Sequence, residues 1–139
     1  MSIDYPAINQ LLIKIIEQRL KLSKLNYDDP KYDDLEEELH DMEDELIEEY
    51  GDFLEDILVD IHEEVCPEVE VFTPISYVPR EVLVEKKGKE RHFISPYGQG
   101  VWIECDHEGR EAYLVILPKP LRVELVHSPD ERRTVWQEE

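Results

Sequence analysis

The sequence predicts an α+β fold: an N-terminal antiparallel helical hairpin, then a small antiparallel β-sheet or barrel of five to seven short strands. Three observations carry this expectation. Apolar residues recur at helical spacing through the first 66 positions. After Pro67 the texture changes to short runs rich in Val, Ile and aromatics, punctuated by Gly and Pro. Charge changes at the same place: residues 1–66 hold five Lys and Arg against 21 Asp and Glu (net −16), and residues 67–139 hold ten against 14 (net −4).

Pro6 suits the first turn of a helix, with Asp4 upstream as a cap. Ile8, Ile15 and Leu22 share one heptad position, and Leu11 and Leu25 another, so the first helix has about five turns and one apolar face. Asn26-Tyr27-Asp28-Asp29-Pro30 reads as a tight break, with Asp28 or Asp29 capping a second helix and Pro30 in its first turn. Leu35, Leu39, Met42, Leu46, Tyr50, Phe53, Ile57, Ile61 and Val65 then follow in steps of three or four, as far as Cys66-Pro67, where proline ends the helix. Gly51 lies within this run, costs ~1 kcal/mol relative to Ala, and allows a kink. The short connection predicts that the helices fold back on each other. Strands are expected at 69–72, 82–86, 91–95, 101–105, 112–117 and 121–126, with a terminal one at 134–137. Lys87-Gly88-Lys89, Pro96-Tyr97-Gly98, His107-Glu108-Gly109 and Pro118-Lys119-Pro120 supply the turns. An acidic helical unit (1–66) and a β-rich unit (67–139) would form one compact body.

Composition narrows the partners. With 139 residues and 41% apolar content the chain can build one core. Its net charge of −20 repels nucleic-acid phosphates and anionic lipid, leaving basic protein surfaces, cations and cationic ligands. Cys66 and Cys105 are too few for a disulfide scaffold and lack CxxC spacing, so both are expected as reduced, buried thiols. No signal-peptide pattern opens the chain and no apolar run approaches the ~18 residues of a membrane span, so a cytoplasmic protein is expected.

Acidic residues crowd positions 28–64. Part of that is the solvated face any helix needs, but Glu45/Glu49, Asp52/Asp56, Asp56/Asp60 and Asp60/Glu64 are like charges at i,i+4, which repel. A helix that keeps such repulsion suits a basic partner, with Glu45, Glu49, Asp52, Asp56 and Asp60 as contacts. An alternative is a divalent cation such as Mg²⁺ held by Glu45-x-x-Glu48 and Glu49-x-x-Asp52, carboxylates one helical turn apart. The stretch Ile47-Glu48-Glu49-Tyr50-Gly51-Asp52-Phe53-Leu54 resembles the second metal-binding helix of the MazG-type nucleotide pyrophosphohydrolases. That resemblance implies a metal-dependent nucleotide hydrolase. It departs from the family in two ways: the first helix supplies only Glu17, with no ExxE partner, and a β-rich half has no place in that all-helical fold.

Other constellations are thinner. Glu37-x-x-His40 matches one limb of a di-iron site that needs two, and His40 and His62 are expected to face solvent among acids with raised pKa values. Cys105-Asp106-His107 are neighbours at a hairpin end and would not converge as a triad, and no nucleophile elbow is present. Ser95-Pro96-Tyr97-Gly98-Gln99-Gly100 lacks the ending of a phosphate loop. Lys86, Lys87, Lys89 and Arg91, with Arg80, form the basic patch. Phe93, Tyr97 and Trp102 nearby would serve a nucleic acid, although complementarity to the chain's own acidic helices, within or between molecules, fits the net charge better. The leading expectation is therefore a non-enzymatic interaction or adaptor protein, homodimeric through its apolar helix stripes. A metal-dependent hydrolase and an acidic mimic of nucleic acid are the alternatives.

Overall fold

The computed structural model describes residues 3–105 and 110–138. Helix α1 (Tyr5–Ser23) starts as its sequence dictates: Asp4 is the N-cap, its carboxylate accepts the Ala7 N–H at 3.1 Å, and Pro6 sits in the first turn. The break that follows is a run of turns. Asp29 accepts the Lys31 N–H through its side chain at 2.9 Å, but Lys31 holds the N-cap of the second helix without a side-chain bond, and Pro30 precedes the helix instead of opening it. Helix α2 (Tyr32–Val65) then runs 34 residues without interruption, about 50 Å at 1.5 Å per residue. Gly51 does not break it: the residue is buried, and a Cβ there would meet only Ile47, one turn earlier, at 3.4 Å.

Among the described residues six strands follow in two antiparallel sheets that do not close into a barrel. The strands β1 (Leu83–Lys87) and β2 (Glu90–Ile94) form a hairpin that, among the described residues, pairs only with itself. The strands β3 (Val101–Cys105), β4 (Arg110–Leu117), β5 (Arg122–Val126) and β6 (Arg132–Gln137) form a meander in chain order. The strand expected at 69–72 is absent. That segment is irregular and leads into a 3₁₀ turn, Pro74–Tyr77, because its backbone bonds go elsewhere: the Phe72 N–H to the Tyr77 hydroxyl and the Val69 carbonyl to His62. The expected turn His107-Glu108-Gly109 lies outside the described residues.

Register alternates the sheet's faces. Ile103 lies opposite Ala112, Leu114 opposite Leu125, and Ile116 opposite Val123; all six are buried against Ile8, Leu12, Ile15, Leu46 and Leu58 of the helices in one cluster. The apolar stripes that suggest a homodimer are therefore covered by the chain's own sheet. On the other face, Val115, Leu117 and Val126 make a smaller core with Val82, the residue before β1.

Polar side chains fix these layers. Arg19 of α1 donates to the carbonyls of Val78 (2.8 Å) and Pro79 (3.4 Å) and to Glu43 of α2 (2.7 Å). Asn9 joins α1 to the far end of the sheet: it donates to Glu138 at 2.9 Å and accepts the Lys119 N–H at 2.8 Å. Arg122, 3% exposed on β5, donates to Glu124 (2.8 Å) and to the carbonyls of Pro118, Pro120 and Phe93, while Arg132 donates to the Ser95 carbonyl (2.8 Å). These two arginines hold the hairpin to the meander.

Candidate functional site

Half of α2 is acidic: 17 of its 34 residues are Asp or Glu, and none is Lys or Arg. The buried row Leu39, Leu46, Leu54, Ile57, Leu58, Ile61 takes the inner side, so the acids are displaced outward. Glu45, Glu48, Glu49, Asp52, Asp56 and Asp60 are all exposed. Among the described residues only Glu43 of this helix makes an ion pair, with Arg19. No Lys or Arg inside α2 offsets its charge; the cations nearest to it are Arg19, Lys14 and Lys21 of α1.

The carboxylates proposed for a cation do not converge. Glu45 and Glu49 border a shallow groove of about 230 Å³ between the helices, which they share with Gln10, Lys14 and Tyr50, while Glu48 and Asp52 do not line it. Lys14 already supplies positive charge there. Among the described residues no group of three or more His, Cys, Asp or Glu side chains is placed to hold a metal ion.

The histidine expected among solvated acids is instead internal. His62 is 2% exposed and continues the buried i,i+4 row Leu54, Leu58. Its Nδ1 lies 3.0 Å from the Val69 carbonyl and its Nε2 2.9 Å from the Tyr77 hydroxyl. A carbonyl only accepts, so Nδ1 carries the proton and Nε2 accepts from Tyr77, whose oxygen in turn accepts the Phe72 N–H at 3.0 Å. Burial pushes the Tyr77 phenol up; the Phe72 N–H partly offsets this and the neighbouring Cys66 adds to it. The set is satisfied and closed to water, with Cys66 Sγ 3.7 Å from Nδ1. It fastens the end of α2 to the segment after it. His40, in contrast, is exposed. Of Cys105-Asp106-His107, which are not expected to converge, Asp106 and His107 lie outside the described residues, and of Cys105 only its place in β3 is described.

The basic patch is where the sequence places it. Lys86, Lys87, Lys89 and Arg91 are exposed around the β1–β2 turn, where Gly88 takes φ 65°. Arg91 reaches α1, 3.7 Å from Glu17, and its guanidinium stands 5.3 Å from the ring centre of Phe93. Phe93 itself is buried, so it offers no stacking surface. Arg80 lines a polar crevice of about 300 Å³ with Arg19, Ser76 and the Gly98–Gly100 turn. That crevice is not an electropositive site: Glu43 neutralises Arg19, and Glu81 borders the adjoining cavity beside Arg80.

One surface escapes the sequence reading in part. On the sheet face turned away from the helices, Trp102 lies opposite Tyr113 and Glu104 opposite Glu111. Tyr97, from the turn before β3, meets Tyr113 edge-on at 5.3 Å between ring centres. Trp102 is 48% exposed and Tyr97 43%. The available signal was the alternation in Val101-Trp102-Ile103-Glu104, which puts Trp102 and Glu104 together on the face opposite Ile103.

Compared with known proteins, the chain matches no family model, no curated protein and no solved structure.

Proposed function

We propose that the protein is a non-enzymatic interaction module that binds a basic partner protein through the outer surface of α2. The observation that carries this reading is the uncompensated charge of that helix: 17 acids, no Lys or Arg, and one ion pair among the described residues. Like charges at Asp52/Asp56, Asp56/Asp60 and Asp60/Glu64 raise the free energy of the unbound helix, and a basic surface relieves them on contact. Long-range attraction of the same origin speeds encounter with cationic proteins and slows it with nucleic acid. Metal-dependent hydrolysis has less support, since it needs carboxylates turned into a shared pocket, and these face water.

The test is capture from native lysate with the intact protein and with the variant Glu45→Gln/Glu49→Gln/Asp52→Asn/Asp56→Asn/Asp60→Asn, at low and high salt. Proteins retained at low salt are expected to be released at 0.5 M salt, roughly three times the physiological ionic strength, and to be absent from the variant. An identical retained set for both proteins would sink the reading.

A further inference from the structure

We infer that the outward face of β3 and β4 is a docking site for an arginine side chain of a basic protein segment. The proposal rests on the interaction reading above and adds to it a second contact surface with a defined chemistry. Two cross-strand pairs build the site. Trp102 and Tyr113 stand directly opposite each other, and two residues along the strands Glu104 and Glu111 do the same. Residues two apart on a strand share a face at a separation of about 7 Å, so an aromatic row and a carboxylate row lie side by side. Tyr97 extends the aromatic row by its edge contact with Tyr113.

Both rows are incomplete without a partner. Two exposed glutamates placed directly opposite across a ladder repel, and neither makes an ion pair among the described residues. The arginine beside them in the register, Arg110, is engaged instead by Glu131, through two bonds of 2.5 and 2.8 Å. Trp102 and Tyr97 rank among the most exposed large apolar side chains of the described residues, and Trp102 is two residues along β3 from Glu104 of this unneutralised pair.

Aromatic faces and carboxylates both attract cations, and their spacing selects among cations. A guanidinium is planar. It stacks on an indole or phenol ring and at the same time presents a fork of N–H donors to a carboxylate one step further along. An ammonium has no flat face to stack and concentrates its charge at one point, so it satisfies one row at a time. The field of a −20 chain favours the approach of such a segment and opposes that of a nucleic acid.

The test titrates the intact protein with the acetylated, amidated tripeptide of arginine while following tryptophan emission; Trp102 and Trp136 are the two tryptophans. A saturable change is expected, lost in Trp102→Phe. Its midpoint should rise at least about tenfold in Glu104→Gln/Glu111→Gln, whose positions are exposed and outside the core. The lysine tripeptide is expected to bind several-fold more weakly, and the glutamine tripeptide not to bind. The proposal is overturned by no saturable change with the arginine tripeptide, or by equal midpoints for arginine and glutamine. It is equally overturned if the Glu104/Glu111 variant leaves the midpoint unchanged. If that last result coincides with loss of binding in the α2 variant, the acidic helix alone holds the peptide. The sheet-face proposal then fails while the interaction reading stands.

Discussion

The two halves of the molecule use charge in opposite ways. In the helical half, carboxylates cover the outside of α2, and among the described residues only Glu43 of that helix is in an ion pair. In the β half, charge goes inside: Arg122 is nearly fully buried and bonded to Glu124 and three carbonyls, with Arg132 3.9 Å from the same carboxylate. The first arrangement leaves the fold little dependent on any single charged side chain. The second makes the attachment of the β1–β2 hairpin depend on two guanidiniums, that of Arg122 on Phe93 and that of Arg132 on Ser95. Exposed charge is therefore free to serve binding, and buried charge is committed to architecture.

Removing the buried charge gives the largest effect. Arg122→Met leaves Glu124 inside with only the more distant Arg132, at 3.9 Å, and strips bonds from the carbonyls of Phe93, Pro118 and Pro120. We expect a loss of about 3–5 kcal/mol in denaturant unfolding. A loss below about 1 kcal/mol would erase the contrast between the halves.

Next comes Tyr77→Phe, which takes the donor from His62 Nε2 and the acceptor from the Phe72 N–H and should cost about 1–3 kcal/mol. Its pH dependence has a definite sign. The folded state holds the Tyr77 proton more tightly than the unfolded chain, whose phenol titrates near 10.0. The corresponding stability is intact below that value and is lost as pH rises toward the raised folded-state pKa. Unfolding measured from pH 9 upward should show a decline that flattens in Tyr77→Phe; parallel curves for the two proteins would contradict it.

The smallest effect should come from the exposed acids. Asp56→Asn/Asp60→Asn removes three like-charge i,i+4 pairs and should raise stability by about 0.5–1 kcal/mol at low salt, with the gain fading as salt is added. A marked destabilisation would mean that these carboxylates hold the fold and are not free for a partner.

Much of the architecture was legible in the sequence because it rests on local periodicity. The apolar stripe that includes Leu39, Leu46 and Ile57 fixes α2, and Gly88 between lysines marks the β1–β2 turn. What was not legible depends on distant partners. The alternation at 69–72 looks like a strand, yet Tyr77 and His62 take its backbone bonds. Arg122 sits between Leu121 and Val123 like any surface residue of a strand, and only the arrival of Phe93 and Glu124 turns it inward. His62 did carry a signal: it lies four residues after Leu58, on the row that Leu54 begins. The site divided likewise. The acidity of α2 is written in composition, whereas the pairing of Trp102 with Tyr113 and of Glu104 with Glu111 needs a register that no single strand encodes.

The hairpin that pairs only with itself bears on how the protein behaves when crowded. Strand β1 has a strand partner on one side alone among the described residues, and all five of its residues are exposed, Leu83 and Val84 included. A bare apolar edge of this kind templates stacking with further copies and, through it, aggregation. Lys86 and Lys87 occupy that same edge, so two copies approaching edge to edge in parallel bring four ammonium groups together before any backbone bond forms. The basic turn in an otherwise acidic chain thus acts as a guard for solubility, keeping an open strand from recruiting its own kind.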